Sequence, residues 1–178
     1  CKEWNTLEEI VLSTATSSKP ESLKDLPASK VQSLSEVKAQ NKDRLSTGLS
    51  ELDRTLGGGL VDGSVVLIGG DPGIGKSTLI LQALATLNSD NTTLYVSGEE
   101  SAEQVSERAL RLGIKEDILF IGETHLEKVI KLSKDAKPKV IVIDSIQTMV
   151  TNLSASAPGS VTQVRDCAAQ LTQYAKQT

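Results

Sequence analysis

The sequence predicts an α/β domain built on a mostly parallel sheet, and three observations carry that prediction. Short apolar runs of strand length alternate with helical patterns along most of the chain. The octet Gly70-Asp71-Pro72-Gly73-Ile74-Gly75-Lys76-Ser77 has the G-x-x-x-x-G-K-S spacing of a phosphate-binding loop and sits between such a run and such a helix. A third apolar run, Val140-Ile141-Val142-Ile143, ends on an acid, Asp144. Strand-helix alternation builds βαβ units, and βαβ units stack into parallel sheet.

The elements follow in order. Residues 11–43 are rich in Ser, Thr, Lys and Glu, contain Pro20 and Pro27 and hold no period, so they read as a linker or loosely ordered arm. The domain is expected over 44–178, with 1–43 outside it. A short helix is expected at Ser50 to Leu56, broken by Gly57-Gly58-Gly59, and Val61-Asp62-Gly63 turns the chain into the next run. Ser64-Val65-Val66-Leu67-Ile68-Gly69 reads as a buried strand. After the octet, Leu79, Ile80, Ala83, Leu84 and Leu87 mark one face of a helix. Thr93-Leu94-Tyr95-Val96 is a strand. Ser101 to Leu112 is a helix, with Ser101 and Gln104 spaced as a capping box and Gly113 as its stop. Ile118 to Ile121 is a strand. Thr124 to Ala136 is a helix, with Thr124 and Glu127 repeating the box spacing, Lys134 and Lys137 at its end and Pro138 after it. Val140 to Ile143 is a strand, 150–159 a loop, and Ser160 to Lys176 a helix. No internal repeat is visible.

Composition bounds the function classes. The chain has 178 residues, 38% hydrophobic but only 2% aromatic, so its core must be made of Val, Ile, Leu and Ala. The net charge of −4 does not advertise nucleic-acid binding, although a local basic patch can sit on an acidic chain. The two cysteines, Cys1 and Cys167, make no disulfide framework and suit a reducing, cytoplasmic compartment. No run approaches the ~20 apolar residues needed to span a membrane, and no signal-peptide pattern is present. The chain starts on Cys1 and stops inside a helical pattern, so it is expected to be a piece of a longer protein.

The octet implies a specific chemistry. A triphosphate carries several negative charges, which loop N–H groups and a helix N-terminus can answer without buried cations. Gly70, Asp71, Pro72, Gly73, Ile74, Gly75, Lys76, Ser77 and Thr78 are the expected nucleotide-binding residues. Gly73 and Gly75 permit close backbone approach. Pro72 has no N–H to donate and stiffens the loop entry. Lys76 reaches the β- and γ-phosphates, and Ser77 ligates Mg²⁺. Asp144, at the C-terminal end of its strand, is placed on the ligand edge of an open α/β sheet and is the expected second holder of Mg²⁺. A hydrolase also needs a group to orient the attacking water. Glu99 and Glu100, after the Thr93 strand, are the candidates, Glu99 first. Lone His125 suits a solvated or capping role, Cys167 a small core residue, and the Lys-rich stretch from Lys128 to Lys139 a solvated helix face.

Taken together these residues resemble the bacterial RadA (Sms) family of RecA-like DNA repair ATPases. The matching stretches are Arg44 to Arg54, Leu56-Gly57-Gly58-Gly59, Leu67 to Thr78, Leu94-Tyr95-Val96-Ser97-Gly98-Glu99-Glu100-Ser101 and Ile143 to Thr148. The resemblance implies a RecA-like P-loop NTPase core, incomplete at the C-terminus, with ATP and Mg²⁺ as cofactors. It implies an ATP-driven homo-hexameric motor that promotes branch migration on single-stranded or branched DNA during recombinational repair, in concert with the RecA recombinase. It also implies that Cys1-Lys2-Glu3-Trp4 is the tail of a zinc module, with Cys1 a Zn²⁺ ligand in the full-length protein only. A further strand, expected after residue 178, would lie between the phosphate-loop strand and the Asp144 strand, and without it the piece is expected to be inactive. A RecA-like regulatory switch without a DNA task is the alternative. A GTPase is disfavoured, because the lone Asn-Lys pair, Asn41-Lys42, lies upstream of the octet rather than downstream.

Overall fold

Three parallel strands carry the architecture of the computed structural model, which describes Ser33 and residues 43–178. Strand β3 (Thr93–Ser97) is central, with β4 (Leu119–Gly122) on one side and β5 (Val140–Asp144) on the other. Both pairings are parallel, with Tyr95 opposite Phe120 and Val142, and Ser97 opposite Asp144. Every residue of β3 is buried, as expected for a strand paired on both edges and covered on both faces.

Alternation along β3 divides the core in two. Leu94 and Val96 face a cluster with Leu126 and Val129 of helix α4 (Leu126–Ala136), Met149, and Cys167 of helix α5 (Val161–Gln177). Tyr95 faces the opposite cluster, with Leu81 and Leu84 of helix α2 (Lys76–Asn88) and Val105 of helix α3 (Ala102–Arg111). The helical patterns therefore cover both faces, as strand-helix alternation requires.

Ahead of α2, a small antiparallel pair frames the domain. Strand β1 (Arg44–Leu45) pairs with β2 (Leu60–Val61) around helix α1 (Ser50–Thr55). Arg44 donates to the carbonyls of Leu56 and Gly59 at 2.9 and 3.2 Å. Asp53 accepts from Ser46 Oγ at 2.6 Å and from Thr47 N and Oγ1 at 2.8 and 2.7 Å. These bonds, that from Ser46 foremost, hold its carboxyl below the ordinary carboxylate value. Gly59, at φ +123°, is required here because a Cβ would collide with the Leu45 carbonyl.

Two local expectations fail, each for a non-local reason. The run Ser64 to Gly69 forms no strand. Val65, Val66 and Leu67 are 54, 41 and 82% exposed. A strand exists only when a neighbour supplies its ladder, and among the described residues none pairs with this run, while β5 is left as a free edge of the sheet. The Thr124/Glu127 capping box does not form either. His125 is the N-cap of α4 and has no side-chain cap bond. Glu127 instead accepts from Thr151 Oγ1 and Asn152 N at 2.6 and 2.9 Å, and Glu123 takes the free N–H groups of Thr124 and His125 at 2.9 and 3.0 Å. By contrast, the Ser101/Gln104 box forms in both directions. Cys1 and the linker reading fall outside the described residues.

Candidate nucleotide site

The octet becomes an exposed loop leading into α2, whose first turn holds Lys76, Ser77 and Thr78. The N-cap is Gly75, at φ +101°, and Gly73 also has a positive φ of +79°. Nothing lies within 4 Å of where a Cβ would stand at either glycine. The loop thus offers open space against bare backbone, next to the unpaired N–H groups of a helix start. The Lys76 ammonium folds over the loop and donates to the carbonyls of Gly70 and Asp71, both at 2.8 Å. That places its charge across the loop's own rim.

The two candidate acids behave differently. Ser97 Oγ accepts the N–H groups of Glu99 and Glu100 at 3.3 and 2.9 Å, fixing the turn that presents both. Glu100 turns back and forms an ion pair with Arg108 of α3 that is only partly exposed. Its other oxygen is buried without a protein partner. Glu99 is exposed and accepts from Ser145 Oγ at 2.9 Å. Ser145 directly follows Asp144 and lies 46 positions after Glu99, so this bond makes Glu99 and Asp144 neighbours at the C-terminal edge of the sheet. Thr148 Oγ1 donates to the Ser145 carbonyl at 2.7 Å and closes the turn Ile146–Thr148 that follows β5. The Asp144–Ser145 peptide is cis.

The Asp144 carboxylate accepts a hydrogen bond from the Tyr95 hydroxyl. Burial pushes the Tyr95 phenol above its ordinary value, and the bond to Asp144 adds to the rise. Tyr95, Ser97, Arg108, Ser145 and Thr148 are the site neighbours that sequence reasoning did not single out. A Ser two and three positions ahead of paired acids is a local turn signal and was available. The others come from distant parts of the chain.

Hard oxygen donors, the Ser77 hydroxyl and the Asp144 carboxylate, are of the kind Mg²⁺ takes, and the open glycine cradle suits phosphates, so the residues present fit a Mg²⁺-triphosphate. Zinc has no such support. Among the described residues no group of three or more His, Cys, Asp and Glu could hold a metal ion. Among the same residues no helix is long and apolar enough to cross a membrane.

Comparison with known proteins places this geometry. A family model described as the KaiC ATPase matches residues 45–123. The DNA repair protein RadA of Haemophilus influenzae is 49% identical over 99% of the chain, that of Pseudomonas aeruginosa 51% over 100%, and that of Escherichia coli 47% over 99%. Over its whole length the chain matches RadA proteins, and it fits one stretch of such a protein. It spans 39–40% of the length of these RadA relatives. The flagellar accessory protein FlaH of Methanocaldococcus jannaschii shares the fold, with a TM-score of 0.50 and 21% identity over 76% of this chain and 67% of that one. The α/β class and RecA-like fold expected from the sequence are those observed.

Proposed function

We propose that the chain is the nucleotide-binding core of a DNA repair ATPase of the RadA type, coupling Mg²⁺-ATP hydrolysis to movement of recombination intermediates. The observation that carries this reading is the junction of the two acids with the sheet edge. Asp144 ends β5, Ser145 bonds Glu99, and Glu100 is withdrawn into its pair with Arg108. The name DNA repair protein RadA borne by relatives at 47–51% identity supports the DNA task over a regulatory switch.

Each residue then has a role. The N–H groups of the loop from Gly73 to Thr78 face the phosphates, and Lys76 neutralises the β/γ charge as it leaves its bonds to Gly70 and Asp71. Ser77 and Asp144 hold Mg²⁺, which when bound shields the phosphate charge and polarises the transferred group. Glu99, exposed and oriented by Ser145, orders the attacking water. The loop after β5 faces DNA, with its base pinned by Glu127 to Thr151 and much of its tip exposed. The free edge of β5 and the unpaired run Val65 to Leu67 support a further strand between them in the complete protein. Residues 1–178 alone are accordingly expected not to turn over ATP, because small misplacement of the site costs large factors in rate. Partnership with RecA, a homo-hexamer, a cytoplasmic location and a zinc module with Cys1 belong to the same proposal.

Lys76→Ala in the full-length protein tests the loop. The reading expects ATP turnover to vanish and nucleotide binding to weaken. Turnover near the parent rate would refute it.

A further inference from the structure

Tyr95 joins two parts of the molecule with one side chain. Its ring is fully buried in the cluster that holds Leu81 and Leu84 of α2, and it stacks on Phe120 with centroids 6.4 Å apart and planes 15° from parallel. Its hydroxyl leaves β3 and donates to Asp144 Oδ2 on β5. The strand register explains the reach. Tyr95 stands opposite Val142, two residues before Asp144, an offset of about 7 Å along a strand, which is close to the length of a tyrosine side chain.

We propose that Tyr95 is a positioning residue for Asp144: its hydroxyl holds one carboxylate oxygen so that the other stays aimed at the Mg²⁺ shell, and its ring ties that aim to the helix carrying Lys76 and Ser77. This deepens, and rests on, the reading of Asp144 as a holder of Mg²⁺. Among the described residues no other donor bonds the Asp144 carboxylate, so without Tyr95 its side chain is free to rotate at the strand end. A neutral donor suits the task. A lysine or arginine in the same place would neutralise the carboxylate and compete with the metal, whereas a phenol fixes it and leaves its charge in place. Phe lacks only the oxygen and keeps the ring in the cluster, so the hydroxyl can be tested apart from the packing.

The experiment uses the full-length protein carrying Tyr95→Phe, with Asp144→Asn in parallel. Binding of a fluorescent ATP analogue is titrated with Mg²⁺ and in EDTA, and thermal unfolding is recorded for each variant. Outer-shell partners of metal ligands typically contribute about 10- to 100-fold in metal affinity. Tyr95→Phe is therefore expected to raise the Mg²⁺ needed for half-maximal tightening about 10-fold while leaving affinity in EDTA at the parent value. If Tyr95→Phe leaves the Mg²⁺ requirement unchanged while Asp144→Asn raises it, Asp144 keeps its role and the proposal for Tyr95 falls. If Tyr95→Phe weakens binding equally with and without Mg²⁺, the residue acts through packing and the proposal falls again. If Asp144→Asn leaves the requirement unchanged, the underlying reading fails and takes the proposal with it. A Tyr95→Phe chain too unstable to assay at ambient temperature is titrated at low temperature, where the same comparison applies.

Discussion

Gly98→Ala should damage both the fold and the chemistry, and the structure shows by what route. Gly98 lies between Ser97 and Glu99, where the chain leaves β3. A Cβ built on it stands 2.8 Å from Thr148 Cβ and 3.0 Å from Thr124 Cγ2, and closer still to Thr148 Oγ1. No rotamer of Thr148 removes a clash with its own Cβ, so the backbone must move. Overpacking of this kind costs about 1–3 kcal/mol, which for a domain of this size lowers Tm by roughly 2–12 °C. The displaced groups are the ones that set the site. Thr148 Oγ1 holds the Ser145 carbonyl at 2.7 Å, Ser145 Oγ holds Glu99 at 2.9 Å, and Gly98 N reaches the Asp144 carbonyl at 3.4 Å. A shift near 1 Å in such a chain of contacts costs on the order of 10²-fold in rate. Thermal unfolding and steady-state ATP turnover of the full-length variant check both halves. Gly98→Ala with an unshifted Tm and the parent kcat would refute the steric argument and the link from Thr148 to Glu99.

Two further predictions concern acid stability and DNA contact. The N–H of His125, with Lys128 and the His125 ring, lowers the Glu123 carboxyl to about 2 from its ordinary 4.5. A lowered folded-state value means a contribution fully present above pH 4.5 and lost as pH falls toward about 2. The Tm gap between the parent and Glu123→Gln should therefore be widest near neutral pH and close over that interval, and a gap independent of pH would contradict the assignment. Deleting residues 152–157, the tip of the loop beyond the anchored Thr151, should weaken DNA affinity without lowering Tm substantially, and unchanged affinity would remove the loop from the DNA interface.

How much of this was legible in the sequence follows from how local each cause is. The turn from the octet into its helix, the Ser101 capping box and the alternation of strands and helices from Thr93 onward are written within a few residues, and they formed as read. The run Ser64 to Gly69 has the composition of a buried strand, but pairing depends on a partner strand that its own residues cannot supply. Glu127 has the right spacing to cap its helix, yet Thr151 and Asn152 compete for it from 24 and 25 positions away and win. The bond from Tyr95 to Asp144 spans 49 positions, and that from Ser145 to Glu99 spans 46. Only the sheet register brings these pairs together. The different settings of Glu99 and Glu100, which spacing does not reveal, come from Arg108 and Ser145, both outside the turn that carries the pair.

ATP turnover by full-length Glu99→Gln and Glu100→Gln, measured beside nucleotide affinity, tests the central claim most directly. Loss of a water-orienting carboxylate lowers kcat by about 10²- to 10⁴-fold. Glu99→Gln should fall in that range with binding nearly intact. Glu100→Gln should chiefly lower thermal stability, because it leaves Arg108 half-buried without its partner. Parent-rate hydrolysis by Glu99→Gln, or the rate loss falling on Glu100→Gln instead, would contradict the account.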